Sequence, residues 1–176
     1  MSPAFAQDRT IFAATADVTE SVLWRSKDGG ERWQRWLVLP GTAVGRLPVA
    51  VAPTYPIDGT VLVGHGGRVW RPLRHVEEVR GGERRPTFRG AALGVSANPG
   101  ITALSVSPLF TQDRTVFAAS NIGTYISRNG GESFVAWNEG LDQPRMVSIA
   151  ASPNYASDRL VYALGLGGTL WRRRDA

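Results

Sequence analysis

The side chains able to carry chemistry in this chain of 176 residues are fifteen carboxylates, twenty basic groups and two histidines. Cleaving a glycosidic bond needs two acids flanking it, roughly 5 to 10 Å apart. Asp8, Asp58, Asp113 and Asp158 are the most conspicuous acids, yet each holds the same place in a recurring segment. Catalytic residues should break a repeat, not follow it. The acids outside it are Asp17, Glu20, Glu77, Glu78, Glu83, Glu139 and Asp142, and they read as solvated loop acids. His65 and His75 are two imidazoles in one stretch, too few for a metal centre. With no cysteine there is no thiolate nucleophile, thiolate zinc site or disulfide. The reading therefore assigns no catalytic residue, no metal site and no cofactor.

A second cluster is more distinctive. WRSKDGGERW (24–33) places Ser26, Asp28, Gly29, Gly30 and Trp33 in a tight row, and YISRNGGESF (125–134) repeats it with Ser127, Asn129, Gly130, Gly131 and Phe134. A short carboxylate or amide oxygen in a hairpin accepts hydrogen bonds from the N–H groups just after it. Paired glycines take the positive φ that the reversal needs. The serine bonds across the turn, and the terminal aromatic ring is expected to swing back over the hairpin. One carboxylate per turn falls short of the six or more oxygens of a typical calcium site. The expected role is structural.

These hairpins must be positioned by a larger repeat. SPAFAQDRTIFAAT (2–15), APTYPIDGTVLVGH (52–65), SPLFTQDRTVFAAS (107–120) and SPNYASDRLVYALG (152–165) are four versions of one unit. Their aspartates are 50, 55 and 45 residues apart, the period of a four-stranded propeller blade. In the third unit ITALSVSP, TVFAAS, TYISR and SFVAWN read as strands A to D, with a loop carrying Phe110 and Asp113 between the first two. No stretch sustains a 3.6-residue period, so almost no helix is expected. The first unit lacks strand A and the last lacks strand D, giving fourteen strands in all. The fold class expected is all-β: a β-propeller or half-propeller of about four blades. It forms a single domain over 1–176, with blades at about 2–40, 45–93, 100–139 and 145–176.

Ser-x-Asp-Gly-Gly-x-x-Trp at 26–33 resembles the Asp box, or BNR repeat, of sialidase-like β-propellers. The SPxFxxDRTVFAA units resemble bacterial BNR or YVTN-like repeat proteins. The resemblance spans essentially the whole chain, but the second unit departs from it. There RPLRHVEEVRGGERRPTF (71–88) stands where the box should be, and a longer charged connection is expected. The family includes sialidases, xyloglucan-cleaving glycoside hydrolases, sortilin-type receptors and photosystem assembly factors, so the fold does not select a function. A sialidase would need a tyrosine nucleophile with a glutamate partner. Tyr55, Tyr125, Tyr155 and Tyr162 all hold repeat positions and read as packing residues. With no catalytic constellation among its residues, the chain is expected to be a non-catalytic scaffold or binding module, with a fragment or relative of a sialidase-like glycoside hydrolase as the alternative.

The irregular parts are the expected ligand surface for a protein or glycan. Candidates are Arg74, His75, Arg84 and Arg85 in the 71–90 insertion, together with the loop at 15–21. Trp36, Trp70 and Trp137 could stack on sugars, but core packing between blades is the preferred role. The chain has a net charge of +5 from 19 arginines and Lys27. Nucleic acid is a disfavoured partner, because the arginine-rich segment also carries glutamates. No apolar run reaches the ~18 residues of a membrane span. The N-terminus lacks a basic and an apolar signal region, so a cytoplasmic location is expected, or an extracellular one for an excised domain. Closure ranks as follows: a homo-oligomeric ring of two chains first, then a monomeric four-blade ring, then a fragment of a longer propeller.

Overall fold

The computed structural model describes residues 1–41, 46–80, 83–94 and 99–175, the side chains of 74–80 and 83–86 excepted. Each recurring segment begins with a clasp. The hydroxyls of Ser2, Ser107 and Ser152 donate to Asp8, Asp113 and Asp158 at 2.6, 2.7 and 2.6 Å. The other oxygen of each aspartate accepts the N–H two residues on, from Thr10, Thr115 and Leu160. Asp58 takes the N–H of Thr60 in the same way, although Ala52 replaces the serine. The clasp closes a single turn of helix where the sequence suggests a loop: α1 (Phe5–Asp8), α2 (Tyr55–Asp58), α3 (Phe110–Asp113) and α4 (Tyr155–Asp158). The residue ending each turn is left-handed, at Arg9, Gly59, Arg114 and Arg159.

Four antiparallel sheets follow. Blade 1 holds β1 (Ile11–Ala16), β2 (Ser21–Ser26) and β3 (Gln34–Leu39). Blade 2 holds β4 (Val49–Val51), β5 (Val61–His65), β6 (Arg68–Arg80) and β7 (Glu83–Ala92). Blade 3 holds β8 (Ile101–Val106), β9 (Val116–Ser120), β10 (Gly123–Ser127) and β11 (Val135–Ala136). Blade 4 holds β12 (Met146–Ala151), β13 (Leu160–Gly165) and β14 (Leu170–Arg174). Strand order within each sheet follows the chain. The molecule is an all-β half-propeller of four blades, with fourteen strands among the described residues and three of them in each end blade.

Register repeats between blades. Ala13 faces Trp24 in blade 1, Val63 faces Trp70 in blade 2, Ala118 faces Tyr125 in blade 3 and Ala163 faces Trp171 in blade 4. Because side chains alternate along a strand, each blade presents equivalent residues to its neighbour on either side. The 71–90 insertion is a ladder of its own. β5 pairs with β6 only over Arg68–Trp70, whereas β6 and β7 stay paired to Arg80 and Glu83, past a break between Pro72 and Glu77. The hairpin therefore runs on beyond the sheet that starts it.

Candidate interaction surface

Packing between blades rests on three apolar clusters. Blades 1 and 2 share Phe12, Leu23, Trp36, Leu39, Val61 and Val63. Blades 2 and 3 share a cluster that includes Leu62, Phe110, Val116, Tyr125 and Phe134. Blades 3 and 4 share one that includes Phe117, Ile126, Ile149, Tyr155 and Val161. An aromatic motif recurs: Phe12 meets Tyr55 edge-on at 5.2 Å, and Phe117 meets Tyr155 edge-on at 5.8 Å. Trp36 and Trp137 lie against these pairs at 5.0 and 5.6 Å, while Trp70 packs beside the first cluster.

Ion pairs cross the same junctions. Arg114 reaches back to Asp58 at 3.5 Å, and Arg159 to Asp113 at 3.9 Å. Arg71 meets Glu132 at 2.8 Å. At the last junction Asp175 is 5% exposed and takes hydrogen bonds from the Tyr155 hydroxyl and the Arg128 guanidinium. Burial raises the Asp175 carboxyl, but Arg128 and Tyr155 outweigh it and hold it below its ordinary value. Burial, and then the carboxylate beside it, push the Tyr155 phenol well above its own.

Four blades have three such cores, and among the described residues no apolar cluster joins blade 4 to blade 1. Two blade faces are left without a neighbour. On blade 1, Ile11 is only half-buried, although its equivalents Val61, Val116 and Val161 are 0%, 0% and 1% exposed. Phe5 is half-buried, as its equivalent Tyr55 is, whereas Phe110 and Tyr155 are fully covered. On blade 4, Tyr162 is half-buried where Phe117 is covered, and Leu164 and Leu170 are exposed.

The two boxed hairpins form as their residue types require. Ser26 donates to Asp28 at 2.7 Å and accepts the Gly30 N–H at 2.9 Å, while Asp28 accepts the Arg32 N–H. That backbone bond and the Ser26 hydroxyl hold the Asp28 carboxyl below its usual value. Ser127, Asn129 and Gly131 repeat the pattern, with Asn129 taking the N–H groups of Glu132 and Ser133. Gly29 and Gly30 have φ of 79° and 101°, and Gly130 and Gly131 have 74° and 87°. The terminal rings differ. Phe134 is buried in the core between blades 2 and 3, whereas Trp33 bonds Gly30 O through Nε1 and stays 40% exposed. Each box lies on the side of its blade facing the preceding one, and among the described residues no blade packs on that side of blade 1.

The other candidates are not drawn together. Asp17 is taken up locally by Thr19 and Glu20, and Glu139 pairs with Arg173 at 2.8 Å. Arg74, His75, Arg84 and Arg85 have side chains outside the described residues. His65 ends β5 and is 3% exposed. Its Nε2 donates to Pro40 O at 3.0 Å, and Nδ1 has no partner among the described residues. His65 borders a cleft of about 500 Å³ with Arg46, Thr102, Asn121, Val147 and Leu166. No sequence signal marks this cleft, because it is assembled from strand ends and loops of three blades. Among the described residues no group of three or more His, Asp or Glu is placed to hold a metal, and no helix is long and apolar enough to cross a membrane.

No protein-family model matches the chain, and no curated protein matches it. Among solved structures it is similar to the computationally designed Ika4 protein, with a TM-score of 0.55 and 14% identity over 94% of this chain and 86% of that one. Virginiamycin B lyase from Staphylococcus aureus gives 0.47 and 10% identity over 92% of this chain and 54% of that one. An ancestral GH74 enzyme gives 0.39 and 16% identity over 92% and 29%. The chain thus spans about half the length of the lyase and under a third of the GH74 enzyme. At these identities the likeness to the designed protein concerns the fold alone.

Proposed function

We propose that this chain is a non-catalytic β-propeller scaffold that acts by assembly, two copies completing one eight-bladed ring, and by recognising a protein or glycan on its loops. The 26–33 and 127–134 hairpins are read as Asp boxes that mark blades and carry no chemistry. One observation carries the assembly reading: among the described residues four blades have three apolar cores between them, and the two outward faces bear side chains equivalent to those of the covered junctions. Monomeric soluble proteins rarely expose apolar patches of that kind without a partner. Closed propellers commonly have four to eight blades, so doubling stays within the range. The non-catalytic reading is supported by the local bonding of the repeated aspartates, each used to close its own clasp.

Light scattering over a dilution series tests the assembly. The expected result is a stable species at twice the 19.0 kDa chain mass. A chain that stays at 19.0 kDa at every concentration overturns it. In parallel, the chain is expected to leave a fluorogenic sialoside intact. Turnover that disappears on changing one loop acid overturns the non-catalytic reading and favours a sialidase-like glycoside hydrolase.

A further inference from the structure

We propose that the open face of blade 1 seats on the open face of blade 4 of a second copy, in the register of the junction between blades 2 and 3. The proposal rests on the assembly reading above and specifies its contacts. Three contact classes of the internal junctions, the aromatic pair, the box aromatic and the ion pairs, have both of their halves on these two faces, whereas the packing of strand A and of the strand D tryptophans has no counterpart there.

The aromatic contact comes first. Phe117 holds the same strand position as Tyr162, and Tyr155 the same helical position as Phe5. Phe117 meets Tyr155 across the junction of blades 3 and 4, so Tyr162 is set to meet Phe5 of the second copy. The box aromatic adds to this. Phe134 packs with Leu62, which again holds the position of Tyr162, and Trp33 holds the position of Phe134. The Gly131 backbone already comes close to Leu62 and Arg71, the approach that Gly30 would make to Tyr162 and Arg172.

Charge then sets the register. Arg71 follows Trp70 as Arg172 follows Trp171, each tryptophan facing the matching residue of its neighbouring strand. Arg71 meets Glu132 at 2.8 Å, and Glu31 holds the position of Glu132. Arg172 is therefore placed for Glu31 of the second copy. By the same logic the Arg114–Asp58 and Arg159–Asp113 pairs place Arg9 for Asp158 of the second copy. In the single chain Arg9 and Glu31 turn toward each other at 3.6 Å, with 59% and 75% of their side chains exposed. A twofold axis generates the junction twice, so the contact closes and does not propagate.

A charge swap tests this register. Glu31→Arg and Arg172→Glu are both at exposed positions, so folding, followed by circular dichroism, is expected to be unchanged. Each variant alone places like charges at both junctions, and its dimer dissociation constant should rise at least about tenfold. A mixed dimer of one of each has a native pair at one junction and a reversed pair at the other. Mixing should therefore restore association to near the wild-type level. Trp33→Ala should weaken the wild-type dimer by about tenfold or more. A wild-type dimer whose single variants associate undiminished, or whose mixture is no tighter than its parts, overturns the register and leaves the assembly reading standing. A wild-type chain that remains monomeric overturns both.

Discussion

At the scale of the residue, the fold depends on short polar side chains that answer backbone groups close by. Serine and aspartate close the clasp at the head of a blade, and serine with aspartate or asparagine closes the box. Among the described residues the most deeply placed carboxylate is Asp175, whose partners Tyr155 and Arg128 come from two blades. Replacing Tyr155 by Phe leaves that carboxylate one donor short, and urea unfolding should record a loss of about 1–3 kcal/mol. Its pH dependence has two limits. The lowered Asp175 carboxyl stabilises the fold above its unfolded value near 3.9, and that contribution is lost as pH falls through the folded value. The raised Tyr155 phenol stabilises it below about pH 10 and loses that contribution as pH rises toward the folded value. Thermal melts from pH 8 to 11 should fall less steeply for Tyr155→Phe than for the wild type.

At the scale of the element, one hairpin motif has two fates. Phe134 fills a core, so Phe134→Ala should cost about 3–5 kcal/mol in chemical unfolding. Trp33 occupies the equivalent slot without a neighbour, so in dilute monomer Trp33→Ala should cost under about 1 kcal/mol by the same measurement. A loss at Trp33 as large as at Phe134 would mean that its ring is already covered within the chain. The contrast also marks what could be read from sequence. Blade number, strand count and the hairpin clasps are local, written into spacing and into the short-range preferences of Ser, Asp, Asn and Gly. The one-turn helices leave no trace in the sequence, because four residues are too few to show a helical period. The sequence suggests only a longer charged connection where Arg68–Ala92 form a paired hairpin, because Pro72 and the charges interrupt its alternation. Exposure of Trp33 was beyond local reading, since it depends on which blade stands opposite. The cleft beside His65 was hidden for the same reason.

At the scale of the whole molecule, stability should depend on how much chain is present. A ring of two copies, as proposed, would cover both end blades, and mass action would then tie unfolding to association. The melting temperature by differential scanning fluorimetry should rise across a hundredfold increase in chain concentration. A temperature that stays constant would mean the end blades gain nothing from company. The ladder of β6 and β7 has its own consequence in such a ring. It occurs once per chain, in blade 2, so the closed ring carries two of these arms, four blades apart and related by the twofold axis. Its valence is two even if each arm grips weakly. A partner with two matching epitopes at that spacing would be held by avidity, at an effective concentration set by the ring's own diameter.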